Sequence, residues 1–444
     1  MESSKKREFL TETPVPQLIL KLSVPTIISM LVTAFYNSAD TYFVGKISTE
    51  ATAAVGLVFS VMAIIQAIGF FCGHGAGNYL SRMLGAGKMK EANEMASTGF
   101  ALALILGTIV ALLGNIFANP IAFWLGADDT MMTETVSYMR VIMLGAPLMM
   151  GQFVLNNELR FQGSAIYAMI GLMCGAVINV GLDPLLILYF GMGVTGAAIA
   201  TVSGQLISFI VLLIGSSRGE NIRIHFKNIH LNLYYLLQIV NGGAPSLLRQ
   251  GMAAIATLLM NSLASNLGGA ATIAGMSIVS RVMLMMSSAL IGFGQGYQPV
   301  CSFNYGAGLT HRVKEGYIFC VKWGTIFLAF LAVLAFVFAP DIIWWFRNDQ
   351  AVVEVGKVAL RWQCCVLPLS AFLIMSNMMM QSMGHGVRAS IAASCRNGIC
   401  FIPMVLILSY TLGLFGLEIA QTCADVLTMF IIVPMAVKEL KSLA

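Results

Sequence analysis

No charged residue other than Asp183 occurs between Arg160 and Arg218, and that interval does most to limit what the chain can fold into. A hydrocarbon core takes about 20 apolar residues per spanning helix, so the sequence on either side of Asp183 is long enough to cross one. Similar charge-free intervals run from Glu50 to Arg82, Glu94 to Asp128, Arg249 to Arg281, Arg361 to Arg388 and Arg396 to Glu418. Only 10% of the residues are charged, 58% are hydrophobic and the mean hydropathy is +0.83. A soluble domain, with about a quarter of its residues charged, is excluded.

The expected fold is therefore all-α and polytopic. Turn signals between the apolar runs predict twelve spans. The first six lie at roughly 17–38, 52–80, 92–117, 132–157, 165–189 and 194–215, and the second six at roughly 234–263, 270–298, 312–339, 351–381, 389–410 and 415–437. Residues 1–215 form an N-terminal lobe, the basic polar stretch 216–233 a cytoplasmic linker, and 234–444 a C-terminal lobe. Lys5, Lys6, Arg7, Lys21, Arg82, Lys88, Lys90, Arg160, Arg218, Arg223, Lys227, Arg312, Lys314, Arg388, Arg396, Lys438 and Lys441 all fall on one side of this arrangement. Lys46 and Arg347 are nearly all that stands opposite, so both termini are expected to be cytoplasmic in a multi-pass protein of the inner or plasma membrane. The N-terminal residues do not read as a cleavable signal peptide. The net charge of +5 is scattered over short loops and forms no nucleic-acid patch.

The halves repeat. Pro25 and Pro245, Pro120 and Pro340, and Trp124 and Trp344 are each 220 residues apart. Gly85-Ala-Gly87 and Gly306-Ala-Gly308, Arg140 and Arg361, Pro147 and Pro368, and Gly163 and Gly384 are each 221 apart. Six spans per repeat put both copies the same way up, which implies a pseudo-two-fold axis along the membrane normal and a cavity between the lobes.

Intramembrane ionisable residues mark the chemistry. Asn179 and Asp183 are one turn apart on one helix face, and Pro184 releases the Val180 carbonyl from its helical partner. Asp40 follows Pro25 in the first span, with Tyr36 one turn before it. Thr201, Asn156 and Asn157 are candidates to line the same first-lobe cavity, where two carboxylates out of water would take up a coupling ion. The second half has Met260 and Met404 at the positions of Asp40 and Asp183, and its deep charges are Arg249, Arg281, Arg361 and Asp425. These fit either an ion-pair set or substrate contact. Gln66, Gln152, Met173, Met283 and Arg281 complete the substrate-cavity candidates, drawn from a chain with 29 methionines and 26 phenylalanines that suits flat apolar cargo. The nine cysteines lie in apolar sequence without ligand spacing and read as small core residues. Asp128-Asp129 reads as a solvated turn, and Gly73-His74-Gly75-Ala76-Gly77 as close helix packing. No nucleophile and base or metal set points to an enzyme.

Asp40 in a Pro25-bearing first span, the Asn179/Asp183/Pro184 run and the loop Arg82-Met83-Leu84-Gly85-Ala86-Gly87 together resemble the multidrug and toxic compound extrusion (MATE) transporters, over essentially residues 10 to 440. Within that family the sequence is similar to the DinF-like and MepA-like bacterial exporters. The resemblance implies export of amphipathic organic cations and other drugs by antiport with H⁺ or Na⁺ and no other cofactor. Asp40, Asn179, Asp183 and Thr201 match the ion-site positions of the branch with its site in the first lobe, Na⁺ being one possible occupant. Asn156 would hydrogen-bond the first Asp, and Pro25 matches the proline at which the first helix bends. Arg249 and Arg281 stand where the other branch has acidic residues. A monomer in contact with membrane lipid is expected. The competing expectation is a lipid or lipid-linked oligosaccharide flippase of the same superfamily, whose cationic cavity Arg249, Arg281 and Arg361 would supply.

Overall fold

The computed structural model describes the backbone of residues 2–443, and the side chains of these except residues 2–4, 34–42 and 49. Helix is the only regular structure among the described residues. The spans are Val15–Val44, Thr49–Gly85, Met89–Ile116, the bent pair Met132–Leu144 and Ala146–Phe161, Ala165–Tyr189 and Gly193–Ser216 in the first half. In the second half they are the two legs of Leu233–Gly306, then Thr310–Val337, the bent pair Gln350–Val366 and Leu369–Met383, Gly386–Leu412 and Leu414–Ser442. Among the described residues, nine helices are long and apolar enough to cross a membrane and the two bent pairs add two more. The 74-residue Leu233–Gly306 run counts twice, because Gly269 breaks it with φ 65° and ψ −150°. The twelve expected spans are thus present.

Local sequence explains the breaks. The fourth span bends by 48° just before Pro147 and the tenth by 58° at Pro368. Each proline removes a helical donor and its ring excludes the straight continuation. In the fifth span Pro184 is followed at once by a wide turn, Leu185–Tyr189, in which Phe190 N donates to Leu185 O at 2.9 Å. The eleventh span carries a second wide turn, Cys395–Ile399. Single wide turns inside helices re-aim the residues beside them.

Two compact units result, one of Met1–Thr13 and Val24–Gly243, the other of Pro14–Ser23 and Ala244–Ala444. Apolar side chains gain little from leaving lipid, so small residues and satisfied polar groups hold the spans together inside each unit. In the first unit Gly73 lies against Phe153 and Asn157, and Gly75 against Ile239, as close packing requires of that glycine-rich run. The stretch after Ser216 is tied down rather than loose. Ile222 N donates to Gln162 Oε1 at 2.6 Å, His225 N to Ser97 Oγ at 3.2 Å and His230 N to Thr98 Oγ1 at 3.0 Å. The helix Glu2–Glu12 joins it, because Lys6 Nζ donates to Asn221 Oδ1 at 2.6 Å. Burial brings the Lys6 ammonium down to about 8, with Glu220 opposing the shift. Asp128 is a turn residue: its Oδ1 accepts from Thr130 Oγ1 at 2.6 Å and Met131 N at 3.2 Å, and the Thr130 hydroxyl does most to hold its carboxyl below the usual range.

Gly269 and Gly251 provide a test of the seventh–eighth span break. A Cβ at either would meet open space, but only Gly269 has a backbone that side chains disfavour. Gly269→Ala should lower stability by about 1–3 kcal/mol, whereas Gly251→Ala should be neutral or stabilising by up to about 1 kcal/mol. Thermal unfolding of the purified protein measures both, and equal melting temperatures would show that the break does not depend on glycine.

Candidate functional site

The first-unit site is built where the fifth and sixth spans touch backbone to backbone. A Cβ on Gly175 would lie 2.7 Å from the Gly204 carbonyl oxygen, and one on Gly204 would lie 2.7 Å from the Gly175 oxygen and 3.0 Å from Asn179 Cβ. That approach puts Asn179, one turn after Gly175, beside Thr201, one turn before Gly204. Asn179 Nδ2 donates to Thr201 Oγ1 at 3.5 Å. Asp183 follows on the same face of the fifth span, with none of its surface exposed, while Asn179 and Thr201 are 3% and 4% exposed. Asn179 Oδ1 has no hydrogen-bond partner among the described residues. The site therefore offers a carboxylate, a hydroxyl and an available amide oxygen in low-dielectric surroundings, a donor set that suits a proton or a hard monovalent cation.

The other first-lobe candidates lie elsewhere or outside the described side chains. Tyr36 and Asp40 lie outside the described residues. Asn156 does not touch Asn179, Asp183 or Thr201 among the described contacts; its Nδ2 donates to the Ala168 carbonyl at 3.0 Å. Ala168 lies about 16 Å along the fifth span from Asn179 at 1.5 Å per residue. Asn157 belongs to another buried group: its Oδ1 accepts from Arg160 Nη2 at 2.5 Å, and the same nitrogen is 3.2 Å from His74 Nε2. Pro25 is buried in the first span, and Ser29 Oγ donates to its carbonyl at 2.8 Å. Thr33 Oγ1 repeats that bond to Ser29 O at 2.8 Å, which makes a soft segment of helix just past the proline. Gln66 and Met173 are half-buried. Gln152 is 4% exposed and its Oε1 lacks a hydrogen-bond partner among the described residues.

The second unit contains a cavity of about 600 Å³. Arg281 and Met283 line it, together with Arg249, Met260, Asn377, Arg396 and Gln421. Arg361 does not. Its Nε donates to Phe336 O at 3.3 Å and its guanidinium lies 5.5 Å over the Phe336 ring, so the cationic set drawn from sequence must exchange Arg361 for Arg396. Arg396 sits in the wide turn of the eleventh span. It meets Asp425 with Nε to Oδ1 at 3.1 Å and Nη2 to Oδ2 at 3.2 Å, and donates to Ser370 Oγ at 3.0 Å. This is the bidentate pairing that makes a buried charge tolerable.

The repeat register ties the two units' polar sets together. Asn377 lies 221 residues after Asn156, and its Nδ2 donates to the carbonyl of Ala389, itself 221 after Ala168, at 2.6 Å. Gln421 corresponds to Thr201, Met260 to Asp40 and Arg249 to Ser29, each at 220. The offset rule was present in the sequence and would have found Asn377 and Gln421.

Twelve apolar spans in two repeated sets, each with buried polar residues at corresponding positions, define a multi-pass membrane transporter. The MatE family model matches residues 25–185 and 245–407, one copy in each half, and the chain belongs to that family, the MATE transporters. It is 27% identical over 432 residues to the multidrug export protein MepA of Staphylococcus aureus, covering 96% of this chain and 95% of that protein. MepA of Staphylococcus haemolyticus is 26% identical over 430 residues, at 96% and 94% coverage. Among solved structures, a MATE in complex with MaL6 superposes with a TM-score of 0.93 at 26% identity, over 99% of both chains. A MOP superfamily transporter from Pyrococcus furiosus, described as having a binding pocket of reverse polarity that suggests a different function, gives 0.92 at 25% identity over 99% and 98%.

Gly204→Ala should force the fifth and sixth spans apart and separate Asn179 from Thr201. Overpacking of this kind costs about 1–3 kcal/mol. A thermal melt of the purified variant should show that loss, and an unchanged melt would mean the two spans do not need their backbone contact.

Proposed function

We propose that this protein is a cation-coupled antiporter that exports amphipathic drugs and toxic compounds, organic cations among them, by alternating access. The observation that carries the proposal is Asp183, wholly buried in a long apolar span and set one turn from the Asn179–Thr201 pair. A charged carboxylate held there is costly, and uptake of a proton or a bound cation lowers that cost, so its occupancy can follow whichever side the lobe opens to. The multidrug export role stated for the MepA relatives supports the cargo class.

In this mechanism H⁺ or Na⁺ enters and binds at Asp183 with Asn179, Thr201 and Asp40, and an organic cation competes for the same state. For Na⁺, on the order of six oxygens are needed, and the Asn179 Oδ1 and the carbonyl freed by Pro184 would add to the carboxylates and the Thr201 hydroxyl. The Pro25–Ser29–Thr33 segment supplies a helix that can bend as the site fills and empties. One charge moving down 100 mV releases about 2.3 kcal/mol and one pH unit about 1.4 kcal/mol. Since about 1.4 kcal/mol is one decade, together they support roughly hundredfold accumulation or more. Gln152, Gln66 and Met173 are the first-lobe candidates for cargo contact. The protein acts as a monomer in the cell membrane with both termini in the cytoplasm. The flippase alternative is weakened because Arg361 lies outside the cavity and Arg396, which takes its place there, is paired with Asp425.

Ethidium efflux from proteoliposomes under an imposed pH or Na⁺ gradient tests this. Asp183→Asn should lower gradient-driven efflux at least about tenfold while leaving the protein folded, because a neutral amide cannot exchange a proton or a cation. Wild-type rates in Asp183→Asn under both gradients would remove the mechanism.

A further inference from the structure

We propose that the cavity of the second lobe binds an amphipathic organic anion, with Arg249 and Arg281 recognising its charged end. Three guanidinium groups line this cavity, and no Asp or Glu is among its described lining residues. Among the described residues, only Arg396 of the three has a carboxylate partner, Asp425. Arg249 has a neutral one, its Nη1 donating to Asn377 Oδ1 at 3.5 Å, and Arg281 takes part in no ion pair among the described residues. Among the described residues, then, two guanidinium groups lining the cavity have no acidic partner: Arg249, partly buried where a cation without a counter-charge is expensive, and Arg281, exposed at the cavity wall.

The rest of the wall fits a molecule with a greasy body. Met260, Met283 and Phe401 supply apolar surface, and about 600 Å³ lies within the range of drug-sized ligand sites. Guanidinium forks match planar or tetrahedral oxyanions, so the head group is a carboxylate, sulfonate or phosphate carrying one or two charges. The repeat makes the contrast sharp. Where the first lobe has Asp40 and Ser29, the second has Met260 and Arg249, on a scaffold that keeps the same amide-to-carbonyl bond in both. The coupling cation is thus assigned to one lobe and an organic anion to the other. The binding step stands independently; only directed transport of the anion rests on the export proposal.

Calorimetric titration of the purified full-length protein in phosphatidylcholine nanodiscs tests the assignment, with dodecyl phosphate and dodecyltrimethylammonium as the probes. Dodecyl phosphate should bind at least about tenfold more tightly than the cationic probe. Arg249→Gln and Arg281→Gln should each weaken it about tenfold, and Arg361→Gln, outside the cavity, should change it less than about twofold. Arg281 is exposed, so its variant keeps the test valid even if Arg249→Gln fails to fold. Repeating the titration with phosphatidylglycerol in the nanodiscs separates two sources of the same chemistry: competition identifies a lipid headgroup, and its absence a soluble amphiphile. Equal affinity for the two probes, or equal losses in all three variants, would overturn the assignment. This titration needs no gradient, so its failure would leave Asp183-dependent efflux intact, and failure of that efflux would leave the titration intact.

Discussion

Polar groups among apolar helices have no water to turn to, and the structure depends on how each one is met. Asn156 and Asn377 spend their amide hydrogens on carbonyls of the next span, at Ala168 and Ala389. Arg396 is bound at both ends by Asp425 and Ser370. Lipid supplies no force to press apolar faces together, so these bonds and the close glycine contacts at Gly175 and Gly204 decide which helices lie against each other. What remains incompletely met, the Asn179 amide oxygen beside a buried Asp183 and the second-lobe arginines, is where function is to be sought.

The two lobes are one design with its electrostatics rewritten. The bent fourth and tenth spans, both with proline at the bend, and the matched amide bonds are retained in each copy. The charge is not: the first lobe holds Asp183 and the second Arg249 and Arg281. A repeat that conserves helix packing can therefore carry opposite charges in its two halves, because packing is set by small residues and proline bends while the sign depends on a few side chains.

Most of the fold was legible because a spanning helix needs a long charge-free interval, and charged residues mark where such intervals stop. What the rule cannot supply is the pairing of Arg396, which lies inside the expected eleventh span: its partner Asp425 is 29 residues further on, on a different helix, where no local spacing can reveal it. The role of Arg361, which sequence leaves open between ion pairing and substrate contact, needed the packing: its guanidinium is taken up by the Phe336 carbonyl and ring. Asn157 was grouped with Asn156, though successive helix residues point about 100° apart, and it faces Arg160 and His74 instead. The Asn179–Thr201 contact was accessible in sequence as a pair of glycine-flanked polar residues on adjacent spans; its distance required the packing.

The central claim is that Asp183 changes its proton or cation occupancy when cargo binds. Infrared difference spectroscopy of the purified protein on addition of ethidium, at a pH where the site is protonated, reads this directly. The account expects loss of a protonated-carboxyl stretching band, or its replacement by a Na⁺-sensitive carboxylate band, that disappears in Asp183→Asn. An identical difference spectrum in Asp183→Asn would contradict it.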